Sequence, residues 1–85
     1  MVFSKSYCPY CAKTKQLFGG MKEVDTAVHE LDQMSNGAAI QDELQRMTGQ
    51  RTVPNVWVGG QHLGGNDDTQ AAAASGKLQE MLNKA

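Results

Sequence analysis

The chain has two cysteines, three residues apart in Ser6-Tyr7-Cys8-Pro9-Tyr10-Cys11. Thiols at this spacing exchange disulfides or bind a metal. Pro9 suits the first turn of a helix, where its missing N–H leaves nothing unsatisfied. Cys8 then stands just before the helix and Cys11 one turn inside it. Positions i and i+3 share a helix face, so the two sulfurs can close a disulfide with little movement. The free N–H groups and the positive end of the helix dipole stabilise a thiolate at Cys8, drawing its pKa below the free value of about 8.5. Lys5 ends the preceding strand and is expected to add positive charge nearby. Cys8 is therefore the expected nucleophile and Cys11 the resolving thiol. Two cysteines are too few for a four-thiolate metal site. His29 and His62 could make up the number but lack motif spacing to the pair, so no bound metal is expected.

The elements that must position this pair are short. Met1 to Lys5 reads as a strand. A helix follows from Pro9, with Thr14, Leu17, Phe18 and Met21 on its apolar stripe and Lys13, Lys15, Gln16 and Lys22 largely off it. Thr26 to Leu31 reads as a second strand centred on Ala27 and Val28. Ser35 or Asn36 can cap a second helix, with Ile40, Leu44 and Met47 as its buried stripe and Gly49 as its stop. Val53 to Val58 is the strongest strand by β-branched content. Gly59-Gly60 is a hairpin turn signal, and Gln61 to Leu63 returns from it. Asn66, Asp67 or Asp68 can cap a helix through Ala74, Gly76 breaks it, and Leu78, Met81 and Leu82 mark a terminal helix. Phe3 and Trp57 read as core or sheet-face residues, and Met21, Met34, Met47 and Met81 as packing. The order β-α-β-α-β-β-α predicts an α/β, thioredoxin-like domain over residues 1–85. Its parallel β-α-β unit followed by a hairpin gives a four-stranded mixed sheet of order 2-1-3-4, flanked by helices.

Composition sets the outer bounds. The 85 residues leave room for one domain, and 40% hydrophobic with 20% charged residues can support a core. Eight Lys or Arg against nine Asp or Glu give a net charge of -1, unlike the basic footprint of a nucleic-acid binder. No apolar run approaches the roughly 18 residues of a membrane span, and no secretory signal stands at the start. A cytoplasmic protein is expected, with an organellar one after loss of a presequence left open.

With these residues the chain resembles the glutaredoxins, specifically the dithiol class. The matching stretches are Val2 through Cys11, Glu30-Leu31-Asp32, Gly49 through Val56, Gly64-Gly65-Asn66-Asp67-Asp68 and Gly76-Lys77-Leu78. They follow the family's order over essentially the whole chain. The resemblance implies a glutathione-dependent thiol–disulfide oxidoreductase that reduces protein–glutathione mixed disulfides and protein disulfides. Glutathione is then the co-substrate. Glutathione reductase acts only indirectly, through the glutathione pool, because the chain carries no dinucleotide fingerprint.

The resemblance also implies a binding site. Val53-Pro54 matches the family's cis-proline, with Thr52 beside it and Val53 pairing with the cysteine part of glutathione. Lys5 and Gln41 match positions that serve the glycine carboxylate end, and Tyr10 borders the groove. Gly65, Asn66, Asp67 and Asp68 match the helix start that receives the γ-glutamyl end. Arg51 adds charge nearby without being a direct ligand.

Two departures stand out. Many relatives carry a further helix before the first strand. Many also carry another cysteine where Asn66 stands, so oxidative dimerisation through that position is excluded and a monomer is expected. The alternatives are an iron–sulfur cluster-binding glutaredoxin dimer and a thioredoxin-like protein disulfide reductase. Pro9 argues against the first, because cluster-binding relatives usually carry a smaller or more flexible residue there. The segment 64–68 argues against the second.

Overall fold

Val2 and Ser4 are fully buried while Phe3 between them is only half-buried. This alternation marks the inner strand β1 (Val2–Ser4) of a sheet. The structure, a computed structural model, describes residues 1–21 and 24–84. Strand β2 (Val28–Glu30) pairs parallel to β1, with Val2 opposite Val28 and Ser4 opposite Glu30. On the other side β3 (Asn55–Val58) runs antiparallel, with Val2 opposite Val56. Strand β4 (Gln61–Gly64) completes the hairpin, giving the order β2-β1-β3-β4 that the sequence predicts. Gly59 and Gly60 turn this hairpin at φ 56 and 81, a left-handed pair that suits glycine.

The helices are α1 (Pro9–Gly19), α2 (Gly37–Thr48), α3 (Asn66–Ser75) and α4 (Lys77–Lys84). Val2, Val56 and Val58 pack with Phe18 of α1, Ala72 of α3 and Leu78 of α4 into one core. Phe3 and Trp57 face the opposite way, towards Ile40 and Leu44 of α2. Among the described residues no helix is long and apolar enough to cross a membrane.

Several expectations need correction. The second strand is shorter than Thr26 to Leu31. It is an edge strand, Ala27 and Val28 are exposed, and Leu31 buries itself instead in a 3-10 turn, Leu31–Gln33. Strand β3 begins at Asn55 because Pro54 before it has no N–H to give to a ladder; the Val53–Pro54 bond is cis. Met47 is 55% exposed and borders an open groove beside Phe3 instead of packing. Asn36 takes the cap position of α2 but makes no side-chain cap bond. Gly65, and none of the three predicted residues, occupies the cap position of α3, so Asn66, Asp67 and Asp68 fill its first turn. Two carboxylates there complement the helix dipole. Gly49 and Gly76 end α2 and α3 as predicted. Lys22, placed off the first stripe, lies outside the described residues.

Candidate active site

Cys8 is the N-cap of α1, with Pro9 at the first helical position. The Cys11 N–H donates to the Cys8 sulfur at 3.4 Å, so the sulfur plays the part an N-cap oxygen usually plays. The chain reaches Cys8 through a tight turn, in which the Cys8 N–H donates to the Lys5 carbonyl at 3.1 Å. Both thiols are free; Cys8 is half-buried and Cys11 is completely buried.

Their surroundings push the two thiols in opposite directions. Burial alone raises the pKa of Cys8. Hydrogen bonds from the Cys11 thiol and from the Cys11 and Tyr10 N–H groups, with the charge of Lys15, outweigh it and bring Cys8 below the ordinary thiol range. Cys11 lies above that range, chiefly through burial, and the neighbouring Cys8 adds to the rise. The charge that lowers Cys8 includes that of Lys15, which the sequence does not single out, while Lys5 borders the same hollow as Cys8. Lys15 sits one turn beyond Cys11 and is steadied by Glu30 of β2, Nζ to Oε1 at 3.1 Å. The charge of Lys5 also acts on Asp32.

The loop before β3 faces the sulfur. Val53 presents its carbonyl oxygen 3.8 Å from the Cys8 sulfur. This irregular loop has no ladder to satisfy its carbonyls, and side chains do so instead. Gln50 donates through Nε2 to the Thr52 and Pro54 carbonyls, both at 3.0 Å. Gln41 donates to the Arg51 carbonyl at 2.7 Å. Arg51 is held by Asp42 and Gln45 on α2. Gln50 is a residue whose part here sequence spacing does not reveal. The available signal was an amide side chain beside a proline in a loop rich in unpaired carbonyls.

A groove of about 400 Å³ runs between Tyr10, the Thr52–Pro54 loop and the start of α3 at Gly65, Asn66, Asp67 and Asp68. A second hollow beside it is bounded by Lys5, Cys8, Gln41 and Arg51, and Thr52 and Val53 line both. The predicted binding residues thus line two adjoining hollows that share Thr52 and Val53, one basic with Cys8 in its wall and the other acidic. Two are placed differently. Cys11 lies beneath the surface and lines neither hollow. Asn66 turns its amide inward, where its Oδ1 accepts from Thr14 at 2.9 Å and from Gln70 at 3.2 Å, tying α3 to α1. His29 stacks on Phe3 and His62 packs on Trp57, and neither lines the hollows beside Cys8.

A helix-capping thiol with a buried partner one turn on, faced by a cis-proline loop on a 2-1-3-4 sheet, defines a thioredoxin-like dithiol domain. The chain belongs to the glutaredoxin family, whose model matches residues 1–63. It is 52% identical to glutaredoxin-C8 of Oryza sativa subsp. japonica over 84 residues, covering 98% of this chain and 62% of that one. The chain thus spans less than two thirds of that relative. A buckwheat glutaredoxin solved in complex with glutathione superposes with a TM-score of 0.92 at 49% identity, covering 98% of this chain and 74% of the other. A wheat glutaredoxin structure gives 0.92 at 50% identity, covering 99% and 78%.

Proposed function

We propose that this chain is a glutathione-dependent thiol–disulfide oxidoreductase acting on protein–glutathione mixed disulfides and, through both thiols, on protein disulfides. The observation that carries this reading is the setting of the Cys8 sulfur. It is drawn towards its thiolate form and stands in the wall of a basic hollow that adjoins an acidic one across Thr52 and Val53. Glutathione has two carboxylates and one ammonium, and the hollows offer Lys5 in one and Asp67 and Asp68 in the other. The N-terminus of α3 adds backbone donors for a carboxylate. The buckwheat relative solved with glutathione supports the same ligand here.

In this mechanism the Cys8 thiolate attacks the glutathione sulfur of the mixed disulfide. A Cys8–glutathione disulfide forms, and the substrate cysteine leaves as a thiolate that takes up a proton. A second glutathione, as its thiolate, attacks the glutathione sulfur on Cys8. Oxidised glutathione departs and the Cys8 thiolate is restored. The N–H groups that stabilise that thiolate also make it a good leaving group in the second step. For a protein disulfide, the Cys8 thiolate attacks one sulfur and the other leaves as a thiolate that takes up a proton. Cys11, losing its proton, then attacks the Cys8 sulfur of this mixed disulfide and releases the protein as its dithiol. Glutathione then reduces the Cys8–Cys11 disulfide.

The test is turnover of a glutathione mixed disulfide coupled to glutathione reductase, run beside a thioredoxin reductase-coupled assay. Turnover in the first and none in the second supports the proposal. The reverse result replaces it with a thioredoxin-like reductase.

A further inference from the structure

The Glu30-Leu31-Asp32 stretch lines neither hollow. Its three side chains go to three places: Glu30 pairs with Lys15 on α1, Leu31 enters the core, and Asp32 reaches the segment that leads into Cys8. Both oxygens of Asp32 are engaged there. Oδ1 accepts from the Ser6 N–H at 2.9 Å, and Oδ2 accepts from the Ser6 hydroxyl. The Ser6 hydroxyl, then its N–H, hold the Asp32 carboxyl below the usual carboxylate range, with the charge of Lys5 contributing. Asp32 is therefore ionised and fit to accept both bonds.

We propose that Asp32 is a positioning residue for the Cys8 turn, acting through Ser6 to fix Lys5 relative to the Cys8 sulfur. Lys5 and Cys8 are the first and last residues of a turn closed by the Cys8 N–H and the Lys5 carbonyl at 3.1 Å. Ser6 follows Lys5 inside that turn. The closing bond fixes the shape of the turn but not its tilt against the sheet. A two-point grip from the 3-10 turn after β2, 26 residues away in sequence, fixes the tilt. Ser6 and Asp32 are both exposed, so the bonds compete with water and add little net stability. Their effect is directional: they hold the turn that carries Lys5 at one edge of the hollow and Cys8 in its wall.

The functional half of this proposal rests on the glutathione reading above, where Lys5 meets a carboxylate. The kinetic test compares wild type, Asp32→Ala, Asp32→Asn, Lys5→Met and the Lys5→Met/Asp32→Ala double variant on a glutathione mixed disulfide. Asp32→Ala is expected to raise KM about fivefold with kcat within about twofold, because ground-state positioning is lost while the chemistry at Cys8 is kept. Asp32→Asn retains an acceptor for the Ser6 N–H and is expected to stay within about twofold of wild type in KM. The double variant should be no worse than Lys5→Met alone, since Asp32 acts through Lys5. The second readout, amide hydrogen exchange, needs no substrate. In Asp32→Ala the Ser6 and Cys8 amides should exchange about tenfold faster while those of β3 are unchanged. A wild type inactive on the mixed disulfide sinks the glutathione reading and leaves exchange to decide the grip. Unchanged exchange at Ser6 and Cys8 overturns the positioning role outright. So does an unchanged KM in an active, folded Asp32→Ala, or a double variant whose losses simply add.

Discussion

The Cys11 backbone N–H points at the Cys8 sulfur from 3.4 Å, and the Cys11 side chain is completely buried behind it. One residue thus serves the nucleophile twice, through an amide that any residue could supply and through a thiol that only cysteine can. Substitution at Cys11 separates the two. Cys11→Ser keeps the amide and is expected to retain turnover of glutathione mixed disulfides, while losing most activity on protein disulfides. Cys8→Ser is expected to abolish both. The two variants are compared in the glutathione reductase-coupled assay, and a folded Cys11→Ser as inactive as Cys8→Ser contradicts the single-thiol step.

The charge of Lys15 lowers Cys8, so Lys15→Met is expected to raise the Cys8 pKa by more than Lys5→Met does. Rates of iodoacetamide alkylation across pH give the midpoint for each variant. A larger rise in Lys5→Met gives the larger share to Lys5.

Stability of the reduced protein should depend on pH through Cys8. Its folded pKa lies below its unfolded one, so between the two values the unfolded chain holds a proton that the folded chain does not. The contribution is therefore present above the unfolded thiol value of about 8.5 and lost as pH falls through the folded one. Cys11, whose folded pKa is raised, has the opposite sign: its contribution is present below the unfolded value and lost as pH rises through the folded one. Urea midpoints under reducing conditions should rise with pH as Cys8 ionises in the folded state. That rise should be absent in Cys8→Ser; an identical pH profile in the variant removes Cys8 as its source.

Thr14 and Asn66 share a buried hydrogen bond that joins α1 to α3. Asn66→Ala leaves the Thr14 hydroxyl without that partner and should cost about 1–3 kcal/mol in urea unfolding. A variant within a few tenths of a kcal/mol of wild type denies the bond that importance.

Gly37 packs so tightly on the turn after β2 that an added Cβ would stand 1.9 Å from the Leu31 carbonyl oxygen. A backbone atom cannot swing aside, so Gly37→Ala should be destabilised by about 3 kcal/mol despite alanine's better helix propensity. Thermal unfolding measures it, and a stabilised variant would mean that α2 can shift freely.

The parts legible from sequence were those fixed by neighbours along the chain. Pro9 and the spacing of Cys8 and Cys11 identify a helix cap because capping is local. Gly59-Gly60 identifies the hairpin for the same reason. The contact of Val53 with Cys8 joins residues 45 apart, and only the family resemblance placed the two together. The sequence does not single out Lys15, because its position depends on Glu30, and hence on the register of β2 against β1. Met47 follows the helical spacing of Ile40 and Leu44 but is left exposed beside an open groove, which spacing does not reveal. Asn66 reads as a cap by residue type, yet its amide is drawn inward by a threonine on another helix.

The distance in sequence between Cys8 and the Val53 carbonyl bears on how the protein is made. Synthesis delivers about 5–20 residues per second, so both cysteines leave the ribosome a few seconds before the loop that faces them. An 11-residue helix such as α1 is marginal on its own in water, so a nascent chain lacks a settled cap for Cys8. Through that interval the cysteines are expected to titrate as ordinary thiols, at about 8.5, and so to exchange slowly at neutral pH. Reactivity is thus expected to follow the emergence of the Val53 loop, and a shorter nascent chain to be spared the disulfides that the folded domain makes and breaks.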